Sequence, residues 1–549
     1  MSAATAASPP AVVAHGERRP LRRDKWLARG AWTVVALCCI QILFFAFGRD
    51  QAIYAVVGDA VLGGDMPYRD AWDFKPPGIF LVYAAAQALF GRAMSSIRIL
   101  EVIGLIGMVF AFRRFARNSF GSTLPGLLGG ACALLIHTEL EFWHTAQPEA
   151  FGGMLTAFAL VATTGSFGHP ASALRRRLSA WTLVGALFGA AFLMKPPLGG
   201  GAPVCALYLA WGEFRHSRRP LTAVLPVLVV GVASVVPIVL CAAWFAVRGA
   251  WPALRWTLFE FTPGYTALGW HGTPLGLFEY GLEEALISFS HAVPAGILLA
   301  VLLPRRSERE RSAIALVMSV VLVHVAGIAL QAKFFGYHYS ATLPLLALVA
   351  GLGLTKAWQY TSRVPVAGAL LWVAVLGVLV WSRTATRHVP GTCWERSWDR
   401  LSFLLRRSPS REELDASLYM AADYDLDNDR RAANAVRDLT SSGDAIFVWG
   451  FEPYLYWASG RRRASRYLYD VPQRTAWEQG VARTGLLADL AKTPPEALIV
   501  QHNDTFRFVT GDDLDSSRAL GTFPALAALL DRDYGLAVTV DDLDIYLRR

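Results

Sequence analysis

Apolar residues gather into runs along this chain, and a run of roughly 17 to 25 residues is what a helix needs to cross a hydrocarbon core about 30 Å thick. Such runs fall at 31–48, 97–112, 122–138, 149–166, 179–194, 197–212, 221–247, 287–303, 312–331, 340–356 and 364–382. A twelfth, 77–91, is short. After about residue 383 the pattern becomes that of a soluble α/β domain. Ala445–Trp449, Ala497–Gln501 and the pair Ala537–Val540 and Ile545–Leu547 predict strands, with helices at Asp429–Thr440 and Thr522–Asp531. The expected fold class is a multi-pass α-helical membrane protein followed by a C-terminal soluble α/β domain. The expected organisation is a basic cytoplasmic tail at 1–30, a transmembrane module at 31–382 and an extracytoplasmic domain at 383–549.

Composition agrees. Of 549 residues, 54% are hydrophobic and 17% charged, too little polar surface to coat a soluble globule of this size. A net charge of +9 would point a soluble protein towards nucleic acid, but its location decides its meaning. If 77–91 lies flat at the membrane surface, the clusters Arg113/Arg114/Arg117, Arg175/Arg176/Arg177, Arg215/Arg218/Arg219, Arg305/Arg306/Arg309/Arg311 and Lys356/Arg363 share a side with the N-terminal tail. If it crosses, all of them change sides. The flat reading gives about eleven spans, the N-terminus in the cytoplasm and the C-terminal domain outside the cytoplasmic membrane. The charge then divides into +16 on the cytoplasmic face, −4 in the outer loops and −3 beyond residue 383, so a nucleic-acid role loses its support.

The first outer loop is the densest in chemistry. From Asp50 to Asp73 it holds five aspartates (50, 59, 65, 70 and 73) and one base, Arg69, before Lys75-Pro76-Pro77-Gly78. Acids fixed beside the membrane surface can deprotonate a hydroxyl or hold a divalent cation. On composition alone, turns and caps are the plainer use of such aspartates. Lys75 and Lys195, each followed by two prolines, stand where a cation could meet a lipid-linked phosphate or simply snorkel. A third outer cluster runs Lys333-Phe-Phe-Gly-Tyr337-His338-Tyr339, and the second outer loop carries Glu139, Glu141, His144 and Glu149. Weaker signals are the acidic run Asp423–Asp429, a poor calcium loop better read as helix capping, and the basic Arg461–Arg463 with Arg466, a solvated turn or an acceptor-phosphate site.

The order Asp50-Gln-Ala-Ile-Tyr54, Gly64-Asp-Met-Pro-Tyr68-Arg-Asp70, Lys75-Pro-Pro-Gly, Leu89-Phe-Gly91 and Ile97-Arg98 resembles the GT-C glycosyltransferases that use polyprenyl-phosphate sugars, the class of protein mannosyltransferases and of lipid A aminoarabinose and galacturonosyl transferases. The resemblance implies an inverting transfer of a sugar, a hexose or pentose, from the lipid carrier to a hydroxyl of a glycolipid, cell-wall glycan or protein. It implies Asp50 as catalytic acidic residue with Glu149 as second acid. Lys75, Lys195, Lys333 and His338 would meet the donor phosphate, and Tyr54, Tyr68, Asp70, Asp73 and Tyr337 would line the substrate. Many members have Asp-Glu where this chain has Asp50-Gln51, which weakens a two-carboxylate metal site; a divalent metal is the one candidate cofactor. The alternative from another class is a transporter or flippase of a lipid-linked sugar. That reading predicts ionisable residues at span centres, where His324 stands nearly alone.

Overall fold

The computed structural model describes residues 22–166, 174–270, 272–288, 292–303, 307–362, 364, 366, 368–370, 372–373, 389–405, 410–504 and 506–549. Helix α1 (Arg22–Phe44) carries the first apolar run. The chain then forms α2 (Arg49–Leu62) and α3 (Gly78–Phe90) before α4 (Met94–Phe120). At 1.5 Å per residue, α3 rises about 20 Å, too little for a crossing. Arg98, one turn into α4, donates to the carbonyls of Phe45 at 3.2 Å and Ala46 at 2.8 Å. The exit of α1 and the entry of α4 therefore meet at one end of the bundle, and residues 45–93 stay there. The short run at 77–91 does not cross.

Next come α5 (Leu124–Glu139), the single turn α6 (Glu141–His144), α7 (Pro148–Ser166), α8 (Leu174–Met194), α9 (Gly201–Ser217) and α10 (Pro220–Val247). The expected outer loop at 248–286 is largely helical, as α11 (Trp251–Arg255), α12 (Thr262–Leu268) and α13 (Pro274–Ser288), with a π-helical stretch at Trp256–Phe261. Of the run at 287–303, the described residues form the end of α13 and α14 (Ala292–Leu302). The bundle closes with α15 (Glu308–Gln331) and α16 (Leu343–Thr361). Where α16 passes α5, a Cβ on Gly351 would lie 2.1 Å from the Pro125 carbonyl oxygen. Small residues let the backbones approach in the absence of a hydrophobic drive between helices. Among the described residues, α1, α4, α8, α10 and α15 are long and apolar enough to cross a membrane. The run at 364–382 lies largely outside the described residues, as does the expected boundary at 383. Arg113–Arg117, Arg175–Arg177, Arg215–Arg219 and Lys356 sit at helix ends opposite to residues 45–93.

Beyond α17 (Cys393–Leu404) the chain forms a five-stranded sheet in the order Arg462–Arg463, Ala445–Trp449, Ala497–Gln501, Leu543–Arg548, Tyr534–Val540. The first three strands are parallel and the last two antiparallel. Ala445–Trp449 and Ala497–Gln501 are buried throughout, which explains their unbroken apolar runs. The helix expected from Asp429 starts earlier, at Leu426, because the Asp425 carboxylate caps it by accepting from Asp427 N at 2.9 Å. The acidic run is thus a cap. The Arg461–Arg466 run is neither a solvated turn nor an open anion site. Arg461 caps the carbonyls of Arg437 and Thr440, Arg463 pairs with Asp65 at 2.7 Å, and Arg466 pairs with Asp489 at 2.7 Å.

Candidate active site

Asp50 sits in the first turn of α2, after a break at residues 45–48 that ends α1 at Phe44, short of the end of the apolar run at 48. Its four companion aspartates are engaged elsewhere: Asp59 with Arg92, Asp65 with Arg463, Asp70 with Arg69 and the Met66 amide, Asp73 with Tyr469. Asp50 alone among the five meets the lysine cluster, 3.9 Å from Lys75 Nζ, and its Oδ2 accepts from Gln147 Nε2 at 3.1 Å.

Lys75, Lys195, Lys333, Tyr337 and His338, drawn from distant parts of the chain, line one cavity of about 490 Å³. Its remaining wall is mostly apolar, with Phe192 and Leu193 from α8, Ile238 from α10 and Leu258 and Phe259 from the π-helical stretch. Lys75 Nζ donates to Tyr337 Oη at 3.2 Å. Lys195 is ion-paired to Glu149, whose Oε1 also lies 3.8 Å from His338 Nε2. Lys333 lies 4.2 Å from the centre of the Tyr265 ring and donates to the Phe508 carbonyl at 2.9 Å. The two candidate acids differ in access: the Asp50 side chain is 26% exposed and that of Glu149 2%.

Burial would lower Lys75, yet the Asp50 and Glu149 carboxylates hold it above its ordinary value. Lys195 is pulled down to about 8 by burial and the neighbouring Lys75 charge, against its Glu149 partner. Burial alone brings Lys333 to about 8. His338 is held well below the usual range by burial and by Lys195 and Lys75, so it serves as a neutral imidazole. Lys75 is therefore the firmest cation of the cavity, and the other two lysines titrate near neutral pH.

Gln51 explains the departure from Asp-Glu. Its Oε1 accepts from Gly48 N at 2.9 Å, and its Nε2 donates to the carbonyls of Phe142 at 3.0 Å and Thr145 at 2.7 Å. An ionised glutamate could not donate to those carbonyls. Beneath this loop, Glu101 accepts from Arg98 at 2.9 Å, His137 at 2.9 Å and the Ala146 amide at 2.5 Å, all buried. That network presents Gln147, which accepts from Tyr54 at 3.0 Å while holding Asp50.

Several residues expected to touch substrate are instead internal supports. Tyr54 is fully buried against Gln147. Tyr68 donates to the Lys75 carbonyl at 2.8 Å, and Asp73 accepts from the Lys75 amide at 3.3 Å and from Tyr469 at 2.6 Å. Burial pushes Asp73 up to about 6. Both residues therefore shape the Lys75 turn, and Asp70 stays on the rim with Arg69. Tyr337 does line the cavity. Glu141 is tied up by Arg396 and Arg400. Sequence reasoning missed Gln147, Tyr265 and the Arg98–Glu101–His137 network. Of these only Arg98 stood in a quoted motif, and charged residues inside an apolar run were the available signal for the other two of that network.

Asp50 offers one carboxylate whose neighbours are an ammonium and an amide, and no group of three His, Cys, Asp or Glu side chains among the described residues could hold a metal ion. This donor set does not fit a divalent cation.

Residues 74–244 match the family model described as dolichyl-phosphate-mannose-protein mannosyltransferase, a stretch that includes Lys75, Glu149 and Lys195. Among curated proteins, none matches the chain's sequence. The fold is similar to that of ArnT from Cupriavidus metallidurans. The structure bound to undecaprenyl phosphate aligns with 15% identity over 95% of this chain and 98% of that one, with a TM-score of 0.53. The apo state gives 14% identity, the same coverage and a TM-score of 0.55. The archaeal oligosaccharyltransferase AglB from Archaeoglobus fulgidus, in complex with an inhibitory peptide and a dolichol-phosphate, aligns with 12% identity over 96% of this chain and 75% of that one at a TM-score of 0.50. The chain has the GT-C glycosyltransferase fold in a multi-pass membrane protein.

Proposed function

We propose that this protein is a membrane glycosyltransferase that moves a sugar from a polyprenyl-phosphate donor to an acceptor hydroxyl, on the outer face of the cytoplasmic membrane. One observation carries the reading: three lysines, Tyr337 and His338 converge on one cavity, its remaining wall mostly apolar, beside Asp50. Apolar walls suit an isoprenoid chain, and ammonium groups suit a phosphate as point charges. ArnT and AglB were solved with undecaprenyl phosphate and a dolichol-phosphate, which supports this donor class.

In this reading the acceptor oxygen attacks the anomeric carbon, its proton passes to Asp50, and the bond from that carbon to the phosphate oxygen breaks with its electrons on the lipid phosphate. Lys75, with Lys195 and Lys333, neutralises the departing phosphate, and neutral His338 can donate a hydrogen bond to it. Attack opposite the leaving group inverts the anomeric centre. Asp50 is favoured as base because Glu149 is buried and committed to Lys195. Asp73 and Tyr68 act by holding Lys75. The sugar is a hexose or pentose, and the acceptor a glycolipid, cell-wall glycan or protein. The N-terminus is cytoplasmic, and residues 383–549 form an outer domain. A transporter draws no support from the fold.

The test is incorporation of label from polyprenyl-phosphate sugars into membranes carrying wild type or Asp50→Asn. Full activity in the normally inserted Asn variant would overturn the assignment. Loss in Asp50→Asn with retention in Glu149→Gln separates the two acids.

A further inference from the structure

Helix α17 is amphipathic in the reverse sense of a surface helix. Arg396 and Arg400 point into the protein, Arg400 only 1% exposed, while Trp398 is 59% exposed. Trp394, Trp398 and Leu401, at i, i+4 and i+7, form one stripe that Leu405 continues at i+11, and all four are exposed. The inward face is fully occupied. Arg400 Nη1 donates to Glu141 at 2.9 Å, Arg396 pairs with the same carboxylate at 3.1 Å and donates to the Pro390 carbonyl at 3.1 Å, and a capping box from Thr392 and Glu395 fixes the first turn. A soluble domain has no reason to bury arginines and present tryptophans to water, because the transfer free energies run the other way.

The location of the helix resolves the inversion. Ser397 donates to Gln41 at 2.7 Å, and the Phe403 ring lies 6.0 Å from that of Phe44, so α17 packs on the last turn of α1. On α1 the residues Leu37, Ile40 and Leu43 are exposed, which makes their face the lipid-facing side of a spanning helix. The tryptophan stripe therefore starts where a hydrocarbon-facing surface ends. Tryptophan is the residue most suited to that depth, with an apolar ring and one N–H for the headgroup region.

We propose that α17 is a membrane-interface helix, seating the Trp394–Trp398–Leu401–Leu405 stripe in the outer leaflet and so holding the C-terminal sheet at a fixed height over the site. The arginine pair on Glu141 transmits that height, because Glu141 opens the turn leading to Gln147 and Asp50.

The full chain, reconstituted one copy per nanodisc with a phospholipid bearing a diazirine in its acyl chain, tests this by photolysis and peptide mapping. The expected result is label on residues 393–405 and on the exposed face of α1, with the outer-domain helix Leu426–Leu439 at background. Replacing Trp398 and Leu401 by Glu leaves every inward contact in place and should cut labelling of 393–405 by about tenfold while α1 stays labelled. Residues 393–405 at background in the wild-type chain would overturn the proposal, since a stripe built for a second copy or another protein would face water in a single-copy disc and give that result. Unchanged labelling in the double Glu variant would also overturn it. Neither reading depends on transfer activity, so the proposed function and this surface fail separately.

Discussion

At the scale of single residues, the site separates acids by their partners. Four of five aspartates in the first outer loop have arginine, backbone or tyrosine partners within the protein, and only Asp50 meets a lysine of the cavity. Asp50→Asn keeps the shape and the hydrogen bond from Gln147 but removes the proton acceptor. It is expected to lower kcat by about 10²- to 10⁴-fold, the usual range for a positioned base, with donor KM little changed. The lysines predict a pH profile. Lys195 and Lys333 sit at about 8, so both are charged below that value and neutral above it. As pH rises through 8 the cavity loses positive charge facing the phosphate, and kcat/KM for the donor should fall. Lys195→Arg, which stays charged, should carry the decline to higher pH. Stability moves the other way. Between about 8 and the ordinary lysine value the unfolded chain binds more protons than the folded one, so folding becomes more favourable as pH rises across that window.

At the scale of elements, the C-terminal part of the chain is fastened to the two segments that carry Asp50 and Lys75. Arg49, next to Asp50, is buried between Asp423 at 2.9 Å and Glu452, whose Oε1 accepts from Nε at 2.9 Å. Arg49→Met would leave these acids without their cation in a buried setting, at a cost of about 3–5 kcal/mol. A lower thermal unfolding temperature in detergent and faster proteolysis between the bundle and the sheet would register it. The second fastening is the Lys75 turn, where Trp72 N donates to the Arg466 carbonyl at 2.7 Å and Tyr469 to Asp73. Tyr469→Phe removes a bond to a buried carboxyl, worth about 1.5–3 kcal/mol. Because Asp73 shapes the turn of Lys75, the loss is expected in donor kcat/KM, about tenfold or more, with Asp50 chemistry intact at saturating donor. These fastenings were hidden in the sequence. Asp73 and Tyr469 are 396 residues apart, and no local pattern states which aspartate of an acidic loop turns inward. The cation cluster was legible because each lysine or histidine borders an apolar run, Lys195 and Lys333 just after one and Lys75 and His338 just before one, and helix ends on one face of a membrane must share that face. For the same reason the strands at Ala445–Trp449 and Ala497–Gln501 could be read from unbroken apolar runs, while the helices at 251–288 could not, their sequence being too short and mixed to show a period.

At the scale of the molecule, charge and chemistry occupy opposite ends. Asp50 and Lys75 lie in the segment between α1 and α4, and Lys195 and Lys333 follow the ends of α8 and α15, whereas Arg113–Arg117, Arg175–Arg177 and Arg215–Arg219 mark the reverse ends of α4, α8 and α9. Arginine-rich short loops are retained in the cytoplasm during insertion, so the expected orientation puts the arginine end in the cytoplasm and opens the cavity on the far side. On that expected orientation the +9 of the whole chain is the sum of a cytoplasmic excess and a mildly acidic outer face. A cysteine introduced at Leu536, exposed on the sheet edge, should react with a membrane-impermeant maleimide in cells whose cytoplasmic membrane is intact but accessible. One introduced at Arg218 should react only after that membrane is permeabilised. The six native cysteines give little background from outside, because Cys38, Cys39, Cys205, Cys241 and Cys393 are buried and Cys132 lies within α5. The reverse pattern, Arg218→Cys reactive in intact cells, would place Asp50 and the lysine cavity in the cytoplasm. It would also require a donor presented on the inner leaflet.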